Sequence, residues 1–358
     1  MGTEMNTRQT YSNLYSKGLW ILFFILFFFQ LFKMDVTPFT NYCMSLTDWS
    51  RTGYFNFNSS LKKLKELNVN YIAVNLWVYQ DRRTSSSIYR DRRKTPSDNA
   101  VRSIIDSAGK YGMKVFLKVN VDSRDNIWRG KFMPDNVGKW FKSYRKMLLP
   151  YAALAGEKNI EMFSVGCELK SLSGNEHYDT WKDIIKELRK AYPGKLIYCA
   201  NWDEYENVSF WDELDYIGVD AYFPLHGGDR ISALDIRMAW TNCEMTGYYE
   251  VNWIKKLNDF RKRIKKDIFF AEAGFSSAEG SAAEPWRWDL TPVNLQLQAD
   301  CYKGTFLAFQ DLSWMRGIFW WDWQKDLSAG GEEDTELTPM NKPAQKVLKE
   351  FYIKRAIR

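Results

Sequence analysis

From about Asn41 onward, short apolar runs alternate along the chain with amphipathic stretches. Several runs are almost continuously hydrophobic, among them 268–271 and 318–321, which is typical of strands buried on both faces of a parallel sheet. The pattern predicts eight strands. They are 42–46, 71–77, 114–121, 161–167, 196–201, 216–222, 268–274 and 317–323.

Between the predicted strands, apolar residues recur at the spacing of an amphipathic helix, i, i+3, i+4 and i+7. The stripes are Val101, Ile104, Ile105 and Ala108, then Trp140, Phe141, Tyr144, Leu148 and Tyr151, then Trp181, Ile184, Ile185 and Leu188. Thr95-Pro96 and Thr291-Pro292 predict two helix starts, with Thr as the N-cap and Pro at the first helical position.

Strands that alternate with helices predict an α/β fold with a parallel sheet, and eight such units predict a (β/α)₈ barrel of the TIM type. A doubly wound open sheet is the alternative, but no Gly-x-Gly-x-x-Gly motif follows the first strand to support it. No internal repeat or Pro/Gly-rich linker interrupts the pattern. We therefore predict one barrel domain over residues 34–358.

The N-terminal region differs from the rest in composition. Residues 19–32 carry no charge and are apolar on every side, with Arg8 and Lys17 before them and Lys33 after them. The run has the length of a signal-peptide core and is short for a membrane span, which needs about 20 residues. No small-residue cleavage motif follows, so a cleaved signal and a short membrane anchor both remain open. Either predicts export, with residues 1–33 outside the barrel and the barrel outside the cytoplasm.

In a (β/α)₈ barrel, functional residues lie where strands end and the following loops begin. Residues 163–168 run from an apolar strand straight into Glu168, at the end of the fourth strand, and 269–272 do the same with Glu272 at the seventh. An ionisable group at the tip of an apolar strand is costly unless it faces a cavity or a partner. Either Glu alone is compatible with a structural salt bridge. Together, across the barrel mouth, they predict a catalytic pair.

Paired carboxyl groups are the machinery of glycoside hydrolysis. With retention, two groups about 5–5.5 Å apart act as nucleophile and as acid, then base. The charge of the ionised nucleophile raises the pKa of its neighbour, which keeps that neighbour protonated and able to donate. The pair therefore predicts a retaining glycoside hydrolase that works by double displacement.

The surrounding sequence, over about residues 41–352, resembles glycoside hydrolase family 113, a family of clan A whose known members are chiefly β-1,4-mannanases. The matching strings are Lys94-Thr95-Pro96-Ser97-Asp98, Trp128-Arg129-Gly130, Glu161-Met162-Phe163, Glu168-Leu169-Lys170-Ser171-Leu172-Ser173-Gly174, Ala200-Asn201-Trp202-Asp203-Glu204-Tyr205, Asp215-Tyr216-Ile217-Gly218-Val219-Asp220-Ala221-Tyr222-Phe223-Pro224 and Gly317-Ile318-Phe319-Trp320-Trp321. The resemblance implies that Glu168 is the acid/base and Glu272 the nucleophile, and that the substrate is β-mannan or a manno-oligosaccharide.

The sequence departs from the pattern of these enzymes at three positions. Cys167 stands where many clan A enzymes have the Asn that touches the sugar 2-hydroxyl, and Asn120 stands where the family tends to carry His. Asp322 follows the Trp pair of the eighth strand where Asn is more usual. None of these positions is one of the two Glu, so the departures bear on substrate preference.

Further candidate site residues follow from the chemistry of sugar binding. Tyr222 is placed to donate its phenol to Glu272, and Trp321 is placed to form the platform beneath the sugar at the cleavage point. Aromatic residues make up 16% of the chain, which fits either a large core or a stacking site for sugar rings. The remaining candidates are Trp77 and Trp128 with Trp286 and Trp288 for the aromatic floor, and Asn120, Asp122, Asn201 and Asp203 as ligands for hydroxyl groups.

Other classes of chemistry find little support in the composition. His177 and His226 are far apart, and the cysteines at 43, 167, 199, 243 and 301 are scattered, so no metal-ligand motif occurs. We predict no metal and no cofactor, and expect the cysteines to be free and buried. The net charge is +6, but the basic runs at 90–94 and 261–266 are short. The second predicts a solvated helix face, and we expect no nucleic-acid partner. We expect a monomer.

Three functions remain open. The first is an endo-β-1,4-mannanase that acts on mannan, glucomannan or manno-oligosaccharides. The second is an exo-acting β-mannosidase or related β-hexosidase, because closing one end of the cleft changes the mode of attack without changing the Glu pair. The third is a non-catalytic carbohydrate-binding barrel, against which the two intact Glu argue.

Overall fold

The computed structural model describes residues 40–226, 228, 231–243 and 250–356. The predicted signal or anchor, residues 1–33, lies outside this part of the chain and stays a prediction. Within the described ranges, no helix is both long enough and apolar enough to cross a membrane.

The strands form a closed parallel barrel in chain order, in which the last strand pairs with the first. This confirms the predicted (β/α)₈ barrel and excludes the open doubly wound sheet. The strands are β1 (Cys43–Leu46), β2 (Tyr71–Gln80), β3 (Lys114–Ser123), β4 (Met162–Cys167), β5 (Lys195–Asn201), β6 (Tyr216–Asp220), β7 (Ile268–Ala273) and β8 (Met315–Trp323).

Helices surround the barrel, and the three predicted apolar stripes lie on the second, third and fourth of them. All residues of these stripes are buried in the main hydrophobic core. The α-helices are α1 (Asn58–Glu66), α2 (Asp98–Lys110), α3 (Val137–Glu157), α4 (Tyr178–Ala191), α5 (Ala233–Ala239), α6 (Trp253–Ile264), α7 (Leu295–Phe309) and α8 (Pro343–Ala356).

The prediction that Thr95-Pro96 starts a helix is wrong by two residues. The Thr95 hydroxyl donates to the carbonyl of Trp77 at 2.7 Å and accepts from the N–H of Asp91 at 2.9 Å, so it closes the loop after β2. Ser97 caps α2 instead, by accepting from a backbone N–H of the first turn. Thr and Ser both suit an N-cap, and the loop decides between them by occupying the Thr hydroxyl.

The prediction at Thr291-Pro292 is also wrong, because α7 begins at Leu295. The peptide bond between Thr291 and Pro292 is cis. Asn294 is the N-cap, and its side chain accepts from the N–H of Leu297 at 2.9 Å. Asn is as good a cap as Thr, so the local sequence allowed either start.

The interior of the barrel is filled by side chains in its lower half. Tyr71, Phe116, Phe269 and Phe319 come from four different strands, and their rings meet at centroid distances of 5.1 to 6.3 Å. Such layers make a barrel a packed core and not a pore. The polar residues above this layer therefore face the C-terminal mouth.

The five cysteines are free and buried, as predicted. Cys43, Cys167 and Cys199 line the barrel interior together with the aromatic layer. Burial raises the pKa of each of these thiols, so they remain protonated and pack as small apolar side chains.

Candidate active site

Glu168 follows β4 directly, in a backbone conformation that few residues other than glycine adopt. Its φ angle is +49°, in the left-handed region, and its N–H donates to the carbonyl of Cys199 at 2.7 Å. The next N–H, of Leu169, donates to the Tyr198 hydroxyl at 2.7 Å. Strained backbone of this kind costs on the order of 1–3 kcal/mol and is found mainly where function requires it. Here the turn directs the carboxyl group into the barrel mouth.

Two donors reach the carboxyl group of Glu168 from the loop after β3. Trp128 Nε1 donates to Oε2 at 3.0 Å, and Arg129 Nη1 lies 3.4 Å from the same oxygen. Burial raises the pKa of Glu168, the Arg129 charge lowers it, and the charge of Glu272 raises it again, with a net rise. A carboxyl group in this environment holds its proton more readily than one in water, as a general acid must.

Glu272 lies within β7, and each of its two carboxylate oxygens accepts a hydrogen bond from a different kind of donor. The Tyr222 hydroxyl donates to Oε2 at 2.8 Å, which is the hydrogen bond predicted from the sequence. Lys118 Nζ donates to Oε1 at 2.5 Å. The carboxylate is therefore oriented by a phenol and balanced by a full positive charge.

Lys118 is a functional candidate that sequence reasoning missed. It lies in the middle of β3 with no exposed surface, and its Nζ is 3.2 Å from both carboxylate oxygens of Asp220 as well as bonded to Glu272. Burial alone would lower the pKa of Lys118, but Asp220 and Glu272 outweigh it and raise the pKa. A lysine inside an apolar strand was the available signal, since it requires a buried carboxylate partner.

The carboxyl groups at the C-terminal mouth of the barrel differ in their ion pairs and in their pKa values. Arg129 Nη2 pairs with Asp122 at 2.6 Å, and Lys118 pairs with Glu272 and Asp220. Burial and then the Glu272 charge raise the pKa of Asp220, as burial raises that of Glu168. Two cations thus face four carboxyl groups, and the two with raised pKa values hold protons most readily.

All twelve candidate site residues predicted from the sequence line one cavity of about 930 Å³ at the C-terminal ends of the strands. They are Glu168, Glu272, Trp77, Asn120, Asp122, Trp128, Asn201, Asp203, Tyr222, Trp286, Trp288 and Trp321. Further lining residues, to which the sequence reasoning gave no role, are Trp49, Arg129, Lys131, Trp202, Glu336 and Leu337.

The model of Glycoside Hydrolase Family 113 matches residues 46–339. The chain belongs to glycoside hydrolase family 113. This confirms the resemblance inferred from the sequence motifs. Comparison with curated proteins gives no significant match.

Solved structures of the family are similar to this chain over nearly their whole length. A family 113 β-mannanase from Alicyclobacillus acidocaldarius in complex with ManMIm has a TM-score of 0.77 at 26% identity, covering 89% of this chain and 99% of that one. A second structure, a complex of a family 113 β-1,4-mannanase, has a TM-score of 0.77 at 30% identity, covering 89% and 100%. A β-D-glucuronidase from Dictyoglomus thermophilum, at 14% identity and a TM-score of 0.58, covers 88% and 50% and shows the fold alone.

Among the polar residues of the family 113 cleft, Asn120 and Asp122 come from β3. Asn120 Oδ1 is buried without a hydrogen-bond partner, while its Nδ2 lies 3.4 Å from Asn75 Oδ1. Asp122 is held by Arg129. An orphaned buried acceptor at a cavity wall is costly unless a ligand satisfies it, so Asn120 fits a hydroxyl group of the substrate.

Asn201 and Asp203 belong to one small network at the end of β5. Asn201 Nδ2 donates to Asp203 Oδ1 at 2.7 Å, and Lys170 Nζ donates to Asp203 Oδ2 at 2.6 Å. Beneath them, buried Glu204 accepts from the N–H of Asn201 at 2.9 Å. This network fixes the position of the Asn201 amide at the cavity wall.

The aromatic walls of the cleft are built from pairs of Trp residues that come from different parts of the chain. Trp49 packs on Trp77 with ring centroids 4.6 Å apart, and Trp202 stacks on Trp286 at 5.9 Å with an interplanar angle of 15°. Trp288 is 68% exposed. Exposed indole faces lining a cleft suit the flat C–H faces of sugar rings.

Two of the three positions that depart from the family pattern do not line the cavity. Cys167 Sγ donates to Asp220 Oδ2 at 3.4 Å, and the described residues that line the cavity do not include it. Asp322 accepts a hydrogen bond from the Thr47 hydroxyl. Asn120 alone of the three lines the cavity.

Cys167, Glu168 and Asp220 offer ligand atoms within 4.8 Å of one another, which is close enough to surround a metal ion. The ammonium of Lys118 already supplies a positive charge to Asp220, and the Cys167 thiol holds its proton because burial raises its pKa. A thiol must be deprotonated to bind a metal. The donor set therefore fits a metal poorly.

Proposed function

We propose that this family 113 glycoside hydrolase is a retaining endo-β-1,4-mannanase in which Glu168 is the acid/base and Glu272 the nucleophile. The observation that carries the proposal is the contrast between the two carboxyl groups in one cavity. Burial raises the pKa of Glu168, and Glu272 contacts the Lys118 ammonium and the Tyr222 phenol. One is suited to donate a proton and the other to attack as an anion.

In the first step, Glu272 attacks the anomeric carbon and the glycosidic C–O bond breaks, while Glu168 donates its proton to the glycosidic oxygen, so that the leaving sugar departs as an alcohol. Glu272 forms a covalent glycosyl-enzyme, and its negative charge disappears as the bond forms. Glu168 is then ionised beside Arg129, whose guanidinium lies 3.4 Å away and stabilises the new charge. In the second step, Glu168 removes a proton from water, which attacks the anomeric carbon and restores both residues.

The substrate assignment is supported by the cleft and by the family's solved structures. Those at 26% and 30% identity are named as β-mannanases. The cavity of about 930 Å³ has aromatic walls and amide groups at Asn120 and Asn201 that suit a sugar chain. Because the mannose 2-hydroxyl is axial, selection for mannose requires a group near that position, and we propose Asn120, whose Oδ1 is unsatisfied. Export of the barrel, proposed from residues 19–32, accords with a polymer that stays outside the cell.

Products from defined substrates test the activity. An endo-mannanase releases mannobiose and mannotriose from mannohexaose and leaves nitrophenyl β-mannoside nearly untouched, because one sugar fills only part of the cleft. Release of mannose from both substrates would instead indicate an exo-acting β-mannosidase. Cleavage of cellulose or xylan with mannan untouched would reject the substrate, and no turnover of any of these would favour a non-catalytic barrel.

Azide rescue of two variants tests the mechanism and the two roles. Glu272→Gly opens a space on the α face of the anomeric carbon, so azide and an activated β-mannoside should give the α-glycosyl azide. Glu168→Gly still forms the glycosyl-enzyme from a dinitrophenyl mannoside, whose leaving group needs no proton. Azide then replaces water without needing a base and should give the β-glycosyl azide. The reverse pairing of anomer and variant would exchange the roles, and one anomer from both would reject double displacement.

A further inference from the structure

The cleft continues beyond the catalytic cavity along the loops that follow β2 and β3. A second cavity of about 640 Å³ adjoins it, and the two share Trp49, Asp122, Trp128 and Arg129 in their walls. The far wall of the second cavity carries Lys94 and Arg124. A sugar chain that leaves the catalytic cavity on this side therefore passes two cationic side chains.

A third cavity, of about 570 Å³, shares Arg124 with the second and is strongly basic. Its lining residues are Tyr89, Arg90, Asp91, Arg92, Arg93 and Arg124. Four guanidinium groups thus face a single carboxylate. This pocket contains most of the basic run at 90–94, which the structure places along the continuation of the cleft.

Asp91 offsets only one of the four positive charges of this pocket, and its oxygens also hold the loop together. It is 9% exposed and accepts from the backbone N–H groups of Arg93 at 2.8 Å and Lys94 at 3.0 Å, besides its ion pair with Arg124. These backbone hydrogen bonds, first of all, lower its pKa to about 2. Asp91 thus stays ionised and its oxygens are occupied, while it fixes the backbone that carries the arginines.

Arg92, Arg93 and Lys94 are exposed and form no ion pair with any carboxylate of the described residues, whereas Arg90 is paired with Asp98 at 2.6 Å. Basic residues that serve only to keep a surface solvated can lie anywhere on it. These instead line a cavity that is continuous with the catalytic cleft. Guanidinium groups bind carboxylate and phosphate oxygens through charge-assisted hydrogen bonds, and sugar hydroxyl groups offer no such charge.

We propose that this basic pocket binds an anionic substituent, a carboxylate or a phosphate, carried by the polysaccharide some sugars away from the cleavage point. The proposal rests on the proposed function and narrows its substrate class to an acidic or acid-substituted β-linked mannan. Arg92 and Arg93 supply the unpaired charge, and Arg124 connects the pocket to the cleft.

The test compares neutral glucomannan with two lightly substituted samples of the same preparation, one carboxymethylated and one phosphorylated. Low substitution leaves most sugars at the cleavage point unmodified. The variants are Arg92→Gln/Arg93→Gln and, as the matched control, Lys262→Gln/Arg263→Gln, which removes the same charge from an exposed part of α6. Neither pair belongs to the catalytic machinery.

At low salt, the KM of the wild-type protein for at least one anionic polymer should be about three- to tenfold below that for neutral glucomannan, as two partly screened ion pairs would give. The preference should disappear in the Arg92/Arg93 variant, persist in the control, and weaken for the wild type at high salt. The kcat and the activity on neutral glucomannan should not change. Preference for one substituted polymer over the other assigns the anion as carboxylate or phosphate.

Equal KM values for neutral and anionic polymers in the wild type would overturn the proposal, and so would a preference that the site variant and the control lose equally. Retardation in native gels that contain each polymer gives the same comparison without turnover. Retardation by the anionic polymers without hydrolysis of any of them would reject the proposed function and leave the basic pocket supported.

Discussion

Glu272 is held from two sides, by the Lys118 ammonium on one oxygen and the Tyr222 phenol on the other. The Lys118 ammonium does more than orient the Glu272 carboxylate. A buried carboxylate without a countercharge is costly, and Lys118 is itself buried and shared with Asp220. Lys118 thus serves both the stability of the barrel floor and the charge of the candidate nucleophile. The two contributions can be separated by mutation.

We expect Lys118→Met to lower kcat by about 100-fold or more, since the carboxylate loses its countercharge and one of its positioning contacts. The same change leaves the buried Asp220 and Glu272 without the ammonium that they share and should destabilise the fold by about 3–5 kcal/mol. The double variant Lys118→Met/Asp220→Asn removes one of these two carboxyl groups and with it their mutual repulsion. It should recover much of the thermal stability and little of the kcat, measured by thermal unfolding and by hydrolysis of mannohexaose.

If the double variant recovered turnover together with stability, Lys118 would have only a structural role. Asp220→Asn alone is the control, because it keeps the Lys118–Glu272 contact. It should retain far more activity than Lys118→Met.

The two Glu residues could be predicted from the sequence because each ends an apolar strand. Lys118 was missed because it lies inside a predicted strand. The hydrophobic pattern there predicts that the residue is buried, but it does not indicate a role for the side chain. Its partners, Asp220 and Glu272, lie 102 and 154 positions away along the chain. The closing of the barrel brings them together, and no local signal records that pairing.

At the level of elements, β4 and β5 are joined by a buried carboxyl group. Glu204, after β5, accepts from the Tyr198 hydroxyl of β5 at 2.6 Å and from Ser173 Oγ, in the loop after β4, at 2.7 Å. It also accepts from the Asn201 N–H at 2.9 Å. Burial raises its pKa from 4.5 to about 7, although these three donors oppose the rise.

The raised pKa of Glu204 predicts how the free energy of unfolding changes with pH. Because the folded-state pKa lies above the unfolded one, the contribution of Glu204 is fully present below about pH 4.5 and is lost as the pH rises through about 7. The loss amounts to about 3.5 kcal/mol, since a change of one in the pKa corresponds to about 1.4 kcal/mol. Glu204→Gln does not titrate, so its free energy of unfolding should lack this component.

Urea unfolding of both proteins between about pH 4.5 and 8 measures the difference. The stability of the wild-type protein relative to Glu204→Gln should fall across that window. Glu66→Gln, at an exposed position on α1, should follow the wild type throughout. Parallel curves for the wild type and Glu204→Gln would show that folding does not raise the pKa of Glu204.

Helices and strands could be predicted where burial of one face gives the sequence a hydrophobic periodicity. The residues at which they begin were predicted less well. The stripes on α2, α3 and α4 were correct in every residue because one face of each helix must pack on the barrel. The start of α2 was missed because Thr95 and Ser97 are equally good caps in isolation. The contact of the Thr95 hydroxyl with the Trp77 carbonyl, between distant positions, decides which one is free.

For the molecule as a whole, the strand pattern was sufficient to predict the barrel and the end at which the site lies. The walls of the cleft were harder to predict, because Trp49 and Trp202 lie in loops, whose sequences show no hydrophobic periodicity. Their positions depend on packing partners, Trp77 and Trp286, that the barrel brings near. Loops therefore set the length of the cleft and its charge, and a common barrel can accept different polymers.

The last prediction concerns metal ions. The described residues bring one group to metal-binding distance, Cys167, Glu168 and Asp220, and this group lies at the catalytic floor. A divalent ion there would compete with the Lys118 ammonium for Asp220, would require the buried thiol to ionise, and would hold Glu168 as an anion. Glu168 would then be unable to donate its proton. Bound metal should therefore inhibit rather than activate.

Dialysis against EDTA should leave kcat and the unfolding temperature unchanged, and excess Zn²⁺ should inhibit if it binds at all. Cys167→Ser weakens the ligand set and serves as the control, since any inhibition through this group should then require more Zn²⁺. A loss of activity on dialysis that one particular divalent ion restores would contradict the mechanism. Glu168 would then have to be a metal ligand, and the proton for the leaving group would have to come from elsewhere.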